Sequence, residues 1–211
     1  DEAYRPLLGV LQRNPKIKIT LNITGSLTEQ LVALRLDDVV RGIQQSVATG
    51  QIELVGSAMY HPIIPLIPRA ERQRQFSLQA ELHQRVFGIT QPTGCYLPEM
   101  AFDPTVEQDL LDQGFSWVLL DEGAAGQGFN TLNLEHPYIS PKGLKIIFRN
   151  RFISDWLSFR AEPSRPELAR EAILKDQRSH TSLITAFDGE NLGHHRHGAD
   201  GLWEKLVSDP I

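Results

Sequence analysis

Short apolar runs separated by longer stretches of helical periodicity constrain this chain more than any other feature of its sequence. Residues 17–22, 52–58, 94–97, 116–120, 144–148 and 182–187 read as six strands. Residues 1–11, 26–50, 69–87, 104–113, 166–176 and 202–207 read as the helices around them. Ser26 and Glu29 fit a capping box at a helix start, and Leu31, Leu34, Val39, Val40, Ile43 and Val47 then recur as a core-facing stripe. Gly50, Gly88 and Gly114 stand where helices should stop. Strands apolar on both faces and alternating with helices, except across the stretch 121–142, bury both sides of a parallel sheet. One more strand before the first helix would bring the six to seven, so the expected fold class is α/β, a parallel (β/α)7-type barrel that is incomplete. Residues 121–142, rich in Gly and bounded by Pro, read as a long functional loop.

With 211 residues, 41% of them hydrophobic, the chain can bury a real core. Its net charge of -5 is mild and does not suit a nucleic-acid binder, which would carry a basic stripe. No apolar run approaches the 18 or so residues of a membrane span, so neither nucleic acid nor membrane is expected as a partner. Cys95 is the single cysteine, which excludes an intrachain disulfide and leaves the compartment unread. The chain does not begin with Met and its last residues form no recognisable element, so a piece of a longer protein is expected.

In parallel α/β barrels, functional side chains gather past the C-terminal ends of strands. Here those positions hold Thr24, Ser26, His61, Glu99, Asp121, Glu122, Arg149, Arg151, Asp188, Glu190, His194 and His195. Two carboxylates on one rim suit glycoside hydrolysis, one as nucleophile or base and the other as acid. Three acidic sites qualify, and spacing alone does not choose among them.

Three segments resemble the conserved regions of glycoside hydrolase family 57, in that family's order. They are Gly50-Gln51-Ile52-Glu53-Leu54-Val55 running on to Tyr60-His61-Pro62, Gly94-Cys95-Tyr96-Leu97-Pro98-Glu99, and Thr185 to His195. The stretch Phe148 to Asp155 resembles a further family element. The resemblance implies that residues 1–211 form one partial catalytic barrel domain, lacking the family's first strand and the helical region that follows the barrel and can complete the cleft. It implies a retaining double displacement on an α-linked glucan or maltooligosaccharide, with Glu99 as nucleophile and Asp188 as general acid/base. The carboxyls of such a pair lie ~5–5.5 Å apart. Asp188 must carry a proton before attack, which burial or repulsion from Glu99 would favour. No cofactor is implied. Glu53, His61, Tyr96, Arg149, Asp155, Glu190 and His194 are the expected substrate-binding residues, with structural roles open to several. Glu53 could orient the site or pair with a buried Arg, Glu190 could cap a helix start, and Arg149, Arg151 and Asp155 could form an ion-pair network. Tyr96 stands where the family usually has Trp, keeping a stacking face and adding a hydroxyl. Trp117 is expected in the core.

Two other classes remain open. His194, His195 and His197 beside acidic residues suggest a metal-dependent polysaccharide deacetylase, although adjacent histidines point differently and no second His pair accompanies them, so no metal is expected. A non-catalytic carbohydrate-binding relative is the third reading.

Overall fold

The structure, a computed structural model, describes residues 2–126, 131–176 and 182–208. Asp1 of the first expected helix, residues 127–130 of the expected loop and residues 209–211 lie outside the described residues. In chain order the helices are α1 (Tyr4–Arg13), α2 (Gly25–Ala33), α3 (Asp37–Ala48), α4 (Arg69–Phe87), α5 (Glu107–Asp112), α6 (Arg151–Phe159), α7 (Pro166–Lys175) and α8 (Ala199–Ser208). The strands are β1 (Ile19–Leu21), β2 (Ile52–Leu54), β3 (Gly94–Tyr96), β4 (Trp117–Asp121), β5 (Tyr138–Ile139) and β6 (Lys145–Arg149).

All sheet neighbours but one pair run parallel. β1 pairs with β2, β3 with β4, and β4 with β6, while the short β5 lies antiparallel on β6. A bridge between Gly56 and Cys95 joins the two sheets just past β2. Helices follow one another on the outside: α8 packs on α1, α1 on α3, α3 on α4 and α4 on α5, with α6 on α7 and α7 on α8. Among the described residues no ladder joins β6 back to β1.

The strand period of two divides the sheet into an outer and an inner face. On the outer face Cys95, Val118, Leu120 and Phe148 enter a core with Ala58, Ile64, Phe76, Val106, Leu110 and Phe115. A second core gathers Leu8, Leu11, Ile23, Ile43, Ile52, Leu54 and Phe87 where α1, α3 and α4 cover β1 and β2. The close approach of α1 to α3 depends on Gly42, since a Cβ there would come within 2.8 Å of Leu8 Cδ1.

Four expectations need correction. The helix read over 26–50 is two helices, broken at Leu34–Leu36, where Arg35 takes a left-handed φ of 54°. Its cap is Thr24, whose side chain accepts from Leu27 N at 3.4 Å, rather than Ser26. The expected loop 121–142 contains a 3-10 turn and β5. Residues 182–187 form no strand: Asn150 N and the side chains of Arg149 and Ser154, rather than a continuous ladder, take up backbone groups of this segment.

Two further elements went unread. α6 is capped by Asn150, whose side chain accepts from Ile153 N at 3.0 Å, and β5 holds only two residues.

Candidate active site

On the inner face of the sheet Tyr96, Trp117, Leu119 and Ile147 line an open cleft of about 1740 Å³. Trp117, expected in the core, forms part of its floor, because its register partner is Gly94. A Cβ at Gly94 would meet the indole at 2.0 Å. The cleft also takes Glu53 and Val55 from the β2 end, Asn22 and Thr24 past β1, His61, Glu99, Asp188, Glu190 and His195. Glu99 and Asp188, 89 positions apart by number, thus share one cavity.

Glu99 follows β3 in a tight turn, Pro98–Met100, closed by Met100 N donating to Leu97 O at 2.8 Å and Ala101 N to Pro98 O at 3.1 Å. Both Glu99 and Met100 sit in the left-handed region, at φ 56° and 51°. Such conformations cost a non-Gly residue about 1–3 kcal/mol and persist only where the surroundings impose them. Here Leu97 and Pro98 are buried and fix the entry to the turn. The result turns the Glu99 carboxylate toward His61, Nε2 to Oε1 3.1 Å.

His61 is held in the same way, at φ 56°. The loop before it is tied to α4: Met59 N donates to Gln75 O at 3.2 Å and Tyr60 N to Gln75 Oε1 at 3.0 Å. One turn further along α4, Gln79 accepts from Gly25 N and donates to Ile23 O, each at 3.3 Å, bracing the loop that carries Thr24. Two buried amides of one helix therefore position two rim loops, which explains polar residues on its core face.

Tyr96 stands between the two acids electrostatically. Burial first, then the negative charges of Asp188 and Glu99, push its hydroxyl up to about 12. Tyr4 is raised as well, by burial and then by Glu190 and Asp188, so it borders the other side of the acidic rim. Asp188 and Glu99 are both exposed, and the Glu99 side chain is 70% accessible. The burial expected around Asp188 is therefore not found, because nothing among the described residues roofs the mouth of the cleft.

Glu53 lies exposed on its strand, accepting from Thr93 Oγ1 at 3.2 Å and not paired with a buried Arg. Glu190 lines the cleft. Of the adjacent histidines, His195 lines it, whereas the expected His194 turns to Glu2, Nδ1 to Oε2 2.8 Å. Arg149 and Asp155 do not line the cleft either. Arg149 donates to Asp121 Oδ2 at 2.8 Å, to Asp155 Oδ1 at 3.2 Å and to Ala186 O at 2.9 Å. Asp121 also accepts from Gly123 N and Arg151, and the buried Glu122 accepts from Arg151 N. These rival carboxylates are engaged in holding loops rather than simply solvated. Asn22 was not among the expected residues, yet it lines the cleft with Oδ1 enclosed and, among the described residues, without a hydrogen-bond partner. Its signal was available, since it is the first polar residue past β1. Among the described residues no three His, Cys, Asp or Glu groups are arranged to hold a metal ion.

Parallel strands flanked by helices, with acidic side chains collected past the strand ends around one cleft, define an α/β protein. The chain belongs to glycosyl hydrolase family 57, whose family model matches residues 2–205. Among sequence relatives, the α-amylase of Pyrococcus horikoshii is 30% identical over 144 residues, covering 68% of this chain and 22% of its own length. Among solved structures, 4-α-glucanotransferase from Thermococcus litoralis superposes with a TM-score of 0.79 at 21% identity, covering all of this chain and 33% of that one. The family 57-type branching enzyme of Pyrococcus horikoshii gives 0.81 at 16%, covering 98% and 61%. A Mycobacterium smegmatis protein assigned as a polysaccharide deacetylase gives 0.66 at 15%, covering 96% and 68%. The chain thus spans about a fifth of the α-amylase it matches. Among the described residues no helix is long and apolar enough to cross a membrane.

Proposed function

We propose that this chain supplies the catalytic cleft of a retaining enzyme acting on α-linked glucans, within a barrel that closes in the intact protein. One observation carries the reading: Glu99 and Asp188 line the same cleft and both bear on the half-buried Tyr96. The names of the family relatives, an α-amylase, a 4-α-glucanotransferase and a branching enzyme, support α-glucan as the substrate class.

The Glu99 carboxylate attacks the anomeric carbon as the glycosidic C–O bond breaks, and Asp188 gives its proton to the departing oxygen. Asp188, now a carboxylate, takes a proton from water or an acceptor hydroxyl, whose oxygen attacks the same carbon and releases Glu99. Water gives hydrolysis; a sugar hydroxyl gives transfer or branching. His61 holds the Glu99 carboxylate, and Tyr96 and Trp117 offer faces to sugar rings.

The test is Glu99→Gln in the full-length protein, incubated with maltooligosaccharides and amylose and followed by product sizing. Turnover should vanish while the circular dichroism spectrum stays unchanged. Persisting turnover ends the nucleophile assignment, and activity lost to a chelator and restored by zinc would instead support deacetylase-type chemistry.

A further inference from the structure

Among the described residues the segment that delivers Asp188, residues 182–188, belongs to no strand ladder. Its attachments come from the β6–α6 junction. Asn150 N donates to Ile184 O at 2.7 Å, Arg149 Nη1 donates to Ala186 O at 2.9 Å, and Ala186 N donates to Ser154 Oγ at 3.1 Å. Both backbone groups of Ala186, two residues before Asp188, are therefore taken by side chains.

Those side chains are themselves fixed. The Arg149 guanidinium is only 13% exposed and donates in three directions, to Ala186 and to the carboxylates of Asp121 and Asp155. A planar fork satisfied at three points has one orientation, which a lysine ammonium cannot reproduce. Ser154 is fully buried in α6. In a regular strand a ladder would set register; here one backbone bond from Asn150 N and these two side chains do that work.

We infer that Arg149, oriented by Asp121 and Asp155 and assisted by Ser154, is a positioning residue that sets where the Asp188 carboxyl meets the departing oxygen. The inference rests on the reading of Asp188 as general acid/base. A displacement of about 1 Å in a reacting group can cost on the order of 100-fold in rate. That loss should fall on the step needing the proton. A dinitrophenolate leaves without protonation, whereas a sugar alkoxide does not.

The experiment uses the full-length protein with maltooligosaccharide and with a 2,4-dinitrophenyl α-maltooligoside, reading kcat on the first and the phenolate burst on the second. Asp188→Asn is the reference and should lose turnover of the oligosaccharide while keeping the burst. Arg149→Lys, and independently Ser154→Ala, should lower oligosaccharide kcat about 10- to 100-fold while changing the burst rate less than about threefold. Asp155→Asn, at a half-exposed anchor that leaves the interior intact, should give a smaller loss of the same selectivity. Equal loss on both substrates, or no loss on either, overturns the positioning role even if Asp188→Asn behaves as expected. Should Asp188→Asn keep full oligosaccharide turnover, the acid/base reading itself fails, and with it this inference.

Discussion

His61 and Glu99 face each other at 3.1 Å, Nε2 to Oε1, and each holds a φ of 56° to do so. Neither residue is glycine, so both loops bear backbone strain in order to bring an imidazole against a carboxylate. His61→Ala removes the contact and keeps the strain. Asn tolerates the left-handed region and can still donate a hydrogen bond. In the full-length protein kcat/KM should fall on the order of tenfold for His61→Ala, as expected on losing a hydrogen bond to a charged group, and by less for His61→Asn. Equal activity of His61→Ala and the parent would mean the contact does not serve the reaction.

Gly94 and Trp117 make a second paired constraint, across the floor of the cleft. A Cβ at residue 94 would overlap the indole at 2.0 Å, and the ring, rigid and packed against the sheet, has to move. Overpacking of this kind costs about 1–3 kcal/mol. Gly94→Ala should lower the urea midpoint accordingly and shift tryptophan emission. An unchanged midpoint together with unchanged emission would show that the ring has room the structure does not provide.

Much of the architecture could be read from the chain because burial on both strand faces leaves a plain apolar signature. That is why β1, β2, β3, β4 and β6 lie within the expected runs, extended by a residue at Asp121 and Arg149. The segment 182–187 carries the same signature without being a strand: one backbone bond from Asn150 N and the side chains of Arg149 and Ser154 hold it, and periodicity does not announce those side chains. Likewise Leu34 fits the core-facing stripe by spacing, yet it ends α2 and is exposed, because the left-handed turn at Arg35 that follows has no glycine to mark it.

At the site, the resemblance singled out Glu53, His61, Tyr96, Glu99, Asp188 and Glu190, and these six line one cleft. The resemblance could not tell His194 from His195, which differ only in the direction each side chain leaves a short irregular stretch. Nor could it tell Arg149 the substrate ligand from Arg149 the clamp, since that depends on Asp121 and Asp155 lying beside it.

His83 gives the fold a pH dependence of known sign. Buried in α4 beside Phe87, its imidazole is pushed from 6.5 down to about 4 by loss of solvation. Below 6.5 the unfolded chain takes up a proton that the folded one refuses, so stability is full above that pH and falls as pH drops toward 4. A gap of this size corresponds to a loss of up to about 3 kcal/mol across the window. Urea unfolding at pH 7.5 and pH 5 should show the parent losing more stability on acidification than His83→Gln does. Parallel losses in the two proteins would remove His83 as the cause.

Tyr96 lines the cleft together with both carboxylates of the proposed mechanism and lies in the field of each. Its hydroxyl is kept protonated until about 12 by burial and by the two flanking carboxylates, so at working pH it is a donor and its ring a face for sugar. If the ring matters most, Tyr96→Ala should raise KM for maltooligosaccharides about two- to tenfold, the range expected from losing an aromatic contact of about 0.5–1.5 kcal/mol, while kcat changes little. Tyr96→Phe should then stay near the parent, and Tyr96→Trp should bind at least as tightly. A larger fall in kcat than rise in KM for Tyr96→Phe would reverse that reading, and would place the hydroxyl, lying in the field of Glu99 and Asp188, in the transition state itself.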